Sequence, residues 1–219
     1  MTSAKRGEPS AYKGGFVHTP EAGIHKNILV FDFRSLYPSV IVTHNIDNST
    51  LNCSHKECKK NKVPGFDRWF CTKKEGSIPK KVKHMIDNRA DIKKKLKGKL
   101  SAAERSRLEN KEKQLKLATN IQYGLFGYPN SPMYNVKIAE SISAFGRYYI
   151  QSVIQKAKDA GFNVIYGDTD SVFLSGNQKK ARVFLKKIND WLPGIIELEY
   201  RGVYKRGLFV TKKGGEAAK

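Results

Sequence analysis

Residues 27–33 read NILVFDF, a nearly continuous apolar and β-prone run of the kind that forms a strand buried on both faces. Asp32 sits near its end. Pro38 interrupts any strand beyond it, and 40–44 begins either a helix or a second strand. From 48 to 76 the pattern loses periodicity and reads as loop. Apolar residues then return at helical spacing, at Val82, Met85, Ile86, Ala90, Ile92 and Leu96, which predicts a helix from Pro79 to Leu100 with Gly98 fraying its end. Ser101 with Glu104 three positions on is a capping box, and a second helix follows to about Tyr123. So short a turn makes the two helices antiparallel.

The stretch 139–160 predicts a third long helix, stopped by Gly161. FNVIY (162–166) and SVFL (171–174) are strands separated by Gly167-Asp168-Thr169-Asp170, the composition of a tight hairpin turn. A helix over 179–192 and closing strands over 195–200 and 204–210 complete the chain. Residues 1–27 are an irregular lead-in containing Tyr12-Lys13-Gly14-Gly15, and no internal repeat stands out.

With 219 residues and 39% hydrophobic content the chain can bury a core, as one large domain or two small ones. Its formal charge of +21 exceeds what solubility needs and points to a polyanionic partner. No apolar run approaches a membrane span, and the start, MTSAKRGEPS, lacks a signal-peptide core, so an intracellular, cytoplasmic and nucleoid-associated protein with no membrane partner is expected. Three cysteines are too few for a secreted disulfide framework.

The chemistry begins with the aspartates. Phosphoryl transfer by two divalent ions needs hard oxygen ligands on adjacent strands, and Asp32 and Asp168 are placed to bridge such ions, with Asp170 as an auxiliary carboxylate. An Asp-rich hairpin turn alone is as well explained by turn propensity. What raises the pair above that reading is the basic stretch between them. Arg89 and Lys93 share one helix face, Lys116 and Asn120 share another, and antiparallel packing would let all four converge on a triphosphate. Most other lysines there form a solvated face with diffuse attraction for DNA. Cys53, His55, Cys58 and Cys71 have zinc-compatible side chains, but Cys53-x4-Cys58 with a distant Cys71 is a loose pattern that argues against zinc and leaves free thiols as the first expectation.

DFRSLYPSVIVTHNI, KLATNIQYG and YGDTDS, in this order, resemble motifs A, B and C of family B DNA polymerases of the archaeal type. YKGG at 12–15 resembles that family's linker motif between exonuclease and polymerase modules, and AESISAFGR (139–147) and ELEYRGVYKRGLFVTKK (197–213) follow its patterns as well. The resemblance implies an α+β fold: an antiparallel-sheet palm backed by helices, residues 1–78 and 129–219, with an inserted two-helix antiparallel fingers hairpin at 79–128. It implies addition of dNTPs to a primer 3′-hydroxyl with two Mg²⁺ ions, for which Mn²⁺ can substitute.

Carried onto this sequence, the resemblance makes Asp32 and Asp168 metal aspartates and Phe33 a backbone-carbonyl ligand. Ser35 and Leu36 offer N–H groups to phosphates, and Tyr37 excludes a 2′-hydroxyl by clash. Arg89, Lys93, Lys116 and Asn120 hold the triphosphate, Tyr123 flanks the nascent base pair, and Gly124 and Thr169 lie toward DNA. Lys212 and Lys213 contact the primer–template duplex. Glu199 is an accessory carboxylate, with a surface strand glutamate the competing reading. A disulfide between Cys58 and Cys71 is a further implication. The chain departs from the family at Ile121, where Ser is usual, and at Arg201, where relatives carry an acid. Exonuclease and thumb modules have no room here, so the partners expected are primer–template DNA, dNTPs and a second polypeptide bearing those modules. The alternative is a catalytically weak basic DNA-binding or assembly fragment.

Overall fold

A computed structural model describes residues 12–210, so Lys212 and Lys213 lie outside the described residues. The described chain divides into two compact units, one made of Tyr12 and Tyr37–Ile142, the other of Lys13–Leu36 and 143–210.

In the first unit, the open choice at 40–44 resolves to a helix, α1 (Leu36–Thr43), whose Val40 and Ile41 are fully buried. Pro38 falls in its first turn, where a missing N–H costs no hydrogen bond. The long loop that follows contains one 3₁₀ turn, Lys56–Lys60, and two isolated bridges, Leu51 to Phe70 and Lys62 to Trp69. Helix α2 (Ser77–Lys95) starts two residues before Pro79. Its own N-cap, Gly76, makes no side-chain bond. Asp47 does that work from the loop, accepting from the Ile78 N–H at 2.8 Å and the Ser77 hydroxyl at 3.2 Å.

Helix α3 (Ala102–Gly127) opens with both halves of the Ser101–Glu104 capping box and runs four residues past the expected end. Arg89 pairs with Glu112 at 2.7 Å while Arg105 reaches back to the Leu96 carbonyl at 3.2 Å. Partners therefore rise along one helix as they fall along the other, which is the antiparallel hairpin. Helix α4 (Val136–Asp159) begins three residues earlier than expected because the Asn135 side chain accepts from the N–H groups of Lys137 and Ile138.

The second unit holds a five-stranded, wholly antiparallel sheet in the order β1-β3-β4-β2-β5. Its strands are β1 (Val17–His18), β2 (Gly23–Phe33), β3 (Asn163–Asp168), β4 (Ser171–Ser175) and β5 (Leu198–Phe209). Leu29 pairs with Leu174 and Phe31 with Val172, and all four are fully buried. Helix α5 (Gln178–Trp191) covers this face, its Phe184 meeting Phe31 edge to face. Trp191 of α5 packs on Tyr149 of α4 and carries Lys156 over its ring. Gly161, at φ 79°, ends the chain segment after α4 as expected.

Two strand expectations need correction. β2 begins at Gly23, not at 27, because its exposed first half pairs with the end of β5, and exposed pairing leaves little apolar signal. The two closing strands are one. β5 runs through, with Val30 opposite Gly202 and Phe31 opposite Tyr200, so that Arg201 is an extra, unopposed residue. That bulge, with the Arg-Gly pair in it, is what looked like a break.

Candidate active site

Strand parity positions the carboxylates. Phe31 and Phe33 point into the buried face of the sheet, so Asp32 between them points to the other. Its ladder partner on β4 is Ser171, which pairs on its far side with Asp168 of β3, and its partner on β5 is Glu199. Cross-strand partners share a face, so Glu199, Asp32, Ser171 and Asp168 form one row across four strands.

Asp170 joins this row from the β3–β4 turn, where its carbonyl accepts the Phe33 N–H at 2.7 Å. Its carboxyl is pushed up to about 6, chiefly by burial and then by the neighbouring charge of Asp32, with Asp168 adding less. Asp168 is engaged differently, accepting from the Tyr166 hydroxyl at 3.1 Å and from Thr169 Oγ1 at 2.9 Å. Asp170 is thus the carboxyl that crowds Asp32. The bulge aims Arg201 at the same row. Its Nε and Nη2 donate to Asp32 Oδ2 at 3.0 and 2.6 Å, and Nη1 lies 2.9 Å from Glu199 Oε2. Arg34 adds an ion pair to Glu197 at 3.1 Å.

Backbone strain marks the same place. Among the described residues, five non-glycine residues have φ in the left-handed region, and three are asparagines, which tolerate it. The other two are Ser35 (φ 51°) and Thr169 (φ 56°), each just past a motif aspartate. Such a conformation costs on the order of 1–3 kcal/mol and persists only where the surroundings enforce it. Thr169 is enforced by its N–H to the Phe16 carbonyl at 2.8 Å. Gly15 lies so close that a Cβ there would sit 2.7 Å from Thr169 Oγ1. Arg147 in turn donates to the carbonyls of Lys13 and, at 2.7 Å, Gly14. The Lys13-Gly14-Gly15 segment therefore braces the aspartate turn.

In the other unit, Tyr37 stacks on Tyr123 with ring centroids 4.4 Å apart, and the Tyr12 hydroxyl donates to that of Tyr123 at 3.2 Å. Burial, then the Tyr123 hydrogen bond, push the Tyr12 phenol well above its ordinary range. Arg89 is largely buried against Glu112, whereas Lys93, Lys116, Asn120 and Gly124 are exposed. Because Arg89 is level with Glu112, Lys93 lies one turn toward the hairpin's closed end and Lys116 one turn toward its open end. The four are arranged as a stripe along the hairpin. Ile121 is 45% exposed and does not enter the core.

Among the described residues no disulfide joins the cysteines, and the Cys58 and Cys71 Sγ atoms lie 4.0 Å apart. The loose spacing nonetheless brings Cys53, His55, Cys58 and Cys71 together, their ligand atoms all within 4.8 Å of one another. The sequence reading missed Arg147, Gly15, Tyr166 and the Arg201–Asp32 pair as site residues. Tyr166 carried a local signal, since a residue two before Asp168 shares its strand face. Among the described residues, no helix is long and apolar enough to cross a membrane.

Residues 1–215 match the family model of DNA polymerase family B. The chain is 41% identical over 212 residues to a DNA polymerase of Thermococcus gorgonarius, covering 93% of this chain and 27% of that one. It is 34% identical over 208 residues to a DNA polymerase of Archaeoglobus fulgidus, covering 93% and 26%. The solved structure of the family B DNA polymerase from the hyperthermophilic archaeon Pyrobaculum calidifontis aligns with a TM-score of 0.73 at 29% identity, over 96% of this chain and 28% of that one. The chain spans about a quarter of the length of the curated relatives it matches. With a family model covering almost every residue, the chain belongs to DNA polymerase family B.

Proposed function

We propose that this chain carries the nucleotidyl-transfer centre of a DNA-directed DNA polymerase, extending a primer 3′-hydroxyl with deoxynucleotides. The observation that carries the reading is the row of Asp32 and Asp168 on one sheet face with Asp170 crowding Asp32 from the turn. A divalent cation would offset the burial and neighbouring negative charge that raise the Asp170 carboxyl, and an all-oxygen donor set suits Mg²⁺, or Mn²⁺ in its place. When bound, two such ions activate the attacking hydroxyl and neutralise the leaving pyrophosphate.

Within this reading Asp32 and Asp170 are the principal pair. Asp168, held by Tyr166 and Thr169, fixes the turn and contributes charge. The Phe33 carbonyl would complete the donor set, and Glu199 is the accessory carboxylate beside Asp32. Ser35 and Leu36 serve the phosphates, and Thr169, Gly124 and the lysines Lys212 and Lys213 serve the DNA. Tyr37, stiffened by its stack on Tyr123, is the gate against a 2′-hydroxyl. Lys93, Lys116 and Asn120 form the exposed stripe that meets the triphosphate, and Arg89 joins them only by leaving Glu112. Residues 1–78 and 129–219 are the palm, and 79–128, which holds most of the α2–α3 hairpin, the fingers. Primer–template DNA, dNTPs and a second polypeptide with exonuclease or thumb modules are the partners proposed.

The Arg201–Asp32 ion pair favours a second reading, in which the chain keeps the motifs but serves as a weakly catalytic DNA-binding or assembly fragment. Primer extension with Mg²⁺, alone and with a thumb-bearing partner, separates the two. Asp32→Asn and Asp170→Asn are each expected to reduce extension by about 10²-fold or more, and Asp168→Asn by less. Extension indifferent to Asp32→Asn overturns the site; no extension under any condition with DNA binding intact favours the second reading.

A further inference from the structure

We propose that Cys53, His55, Cys58 and Cys71 form a structural zinc site in the loop between α1 and α2. This stands apart from the nucleotidyl-transfer reading and uses none of its residues. The four come from two passes of the chain. Cys53, His55 and Cys58 surround the start of the 3₁₀ turn Lys56–Lys60, with His55 as its N-cap residue, and Cys71 returns beside them just after the bridge that joins Phe70 to Leu51. Counted along the sequence the pattern is Cys-x-His-x2-Cys-x12-Cys.

Two of the separations are close to those of a tetrahedral zinc site, and all four ligand atoms lie within 4.8 Å of one another. Zinc bonds of about 2.3 Å to sulfur and about 2.0 Å to nitrogen put neighbouring sulfurs about 3.8 Å apart and sulfur and nitrogen about 3.5 Å apart. Cys58 Sγ lies 4.0 Å from Cys71 Sγ, and Cys71 Sγ lies 3.5 Å from His55 Nδ1. A disulfide would require about 2 Å between the two sulfurs and would leave Cys53 and His55 converging on nothing.

Backbone donors meet two of the three sulfurs. The Thr72 N–H points at Cys58 Sγ at 3.2 Å and the Lys74 N–H at Cys71 Sγ at 3.4 Å, so each buried sulfur accepts a backbone donor. Three thiolates, a neutral imidazole and Zn²⁺ leave one net negative charge, and Lys56, Lys59, Lys60, Lys73 and Lys74 surround it in sequence to balance it. Trp69 fixes the Cys53 end, its indole N–H donating to the Cys53 carbonyl at 3.1 Å. A segment with one 3₁₀ turn and two isolated bridges gains from a metal cross-link what its sparse backbone ladder does not supply.

Untagged full-length protein, purified without chelator, should contain about one zinc per chain by elemental analysis. A thiol-specific mercurial should release it to a chromogenic chelator. Zinc should be retained in Asp32→Asn and lost in the Cys58→Ser, Cys71→Ser double variant. Should that variant fail to fold, cobalt substitution of the wild-type chain reads the same site: tetrahedral d–d bands with thiolate charge transfer are expected, together with a lower Tm on exposure to a strong zinc chelator. Iron in place of zinc, no bound metal, zinc lost in Asp32→Asn but kept in the cysteine variant, or a two-hydrogen mass deficit abolished by reductant would each overturn the proposal.

Discussion

Arg201 is the residue at which this chain departs most tellingly from an all-acid centre. Its guanidinium makes two hydrogen bonds to Asp32 Oδ2 and an ion pair with Glu199, so it holds two of the carboxylates a divalent cation would need. Because Arg201 is half exposed, solvent screens that competition and the effect is modest. Arg201→Gln is expected to lower the Mg²⁺ concentration for half-maximal extension by about 3- to 10-fold, the direction set by removal of a competing cation. An unchanged Mg²⁺ titration would mean that the pair dissolves without cost when the ion arrives. Residues of this kind were only partly legible in the sequence. Asp32 and Asp168 could be found because strand parity is local. The nearness of Asp170 to Asp32 could not, since it depends on the Phe33 N–H meeting the Asp170 carbonyl from a strand more than a hundred residues away.

Helix ends carry much of the stability of the first unit. Asp47 is buried, which pushes its carboxyl pKa up, but hydrogen bonds from Ile78, Ser49 and Ser77 outweigh burial and hold it below the usual range. Asp47→Ala should therefore destabilise the fold by about 1–3 kcal/mol in urea denaturation, leaving α2 uncapped. His44, just past the end of α1, is neutral and donates from Nδ1 to Asn61 Oδ1 at 2.6 Å. Burial depresses its pKa to about 4, with Asn61 acting in the opposite sense. The unfolded chain takes up a proton near pH 6.5 and the folded chain only near pH 4, so stability falls as pH drops through that window. The His44 share of the loss between about pH 7 and about pH 5 is roughly 2 kcal/mol, read as the difference between the pH profiles of the wild type and His44→Gln. His18, also depressed by burial, acts in the same direction. The helices were legible because apolar spacing and the Ser101–Glu104 box are local signals, whereas β5 was read as two strands because its bulge interrupts the alternation at Arg201 and Gly202.

At the scale of the molecule, a formal charge of +21 makes any DNA complex salt-sensitive. Binding to a primer–template should weaken on the order of 10³-fold between about 50 and about 200 mM salt, with little dependence on sequence. A flat salt response would remove phosphate contact as the basis of binding. The cysteine loop was hidden from sequence counting because Cys71 arrives beside Cys53 through the bridges at Phe70 and Trp69, which spacing alone cannot reveal. The alternation that buries Leu29, Phe31 and Phe33 and turns Asp32 outward has a further consequence for how such chains can vary. The carboxylate row inherits an odd-even rule from the pleat: one residue inserted between Leu29 and Asp32, or between Val172 and Leu174, would exchange acid for phenylalanine or break the shared row, whereas two would restore it. Length changes in these strands should therefore be tolerated in pairs, and single ones only where the extra residue is absorbed as an unopposed bulge, as Arg201 already is.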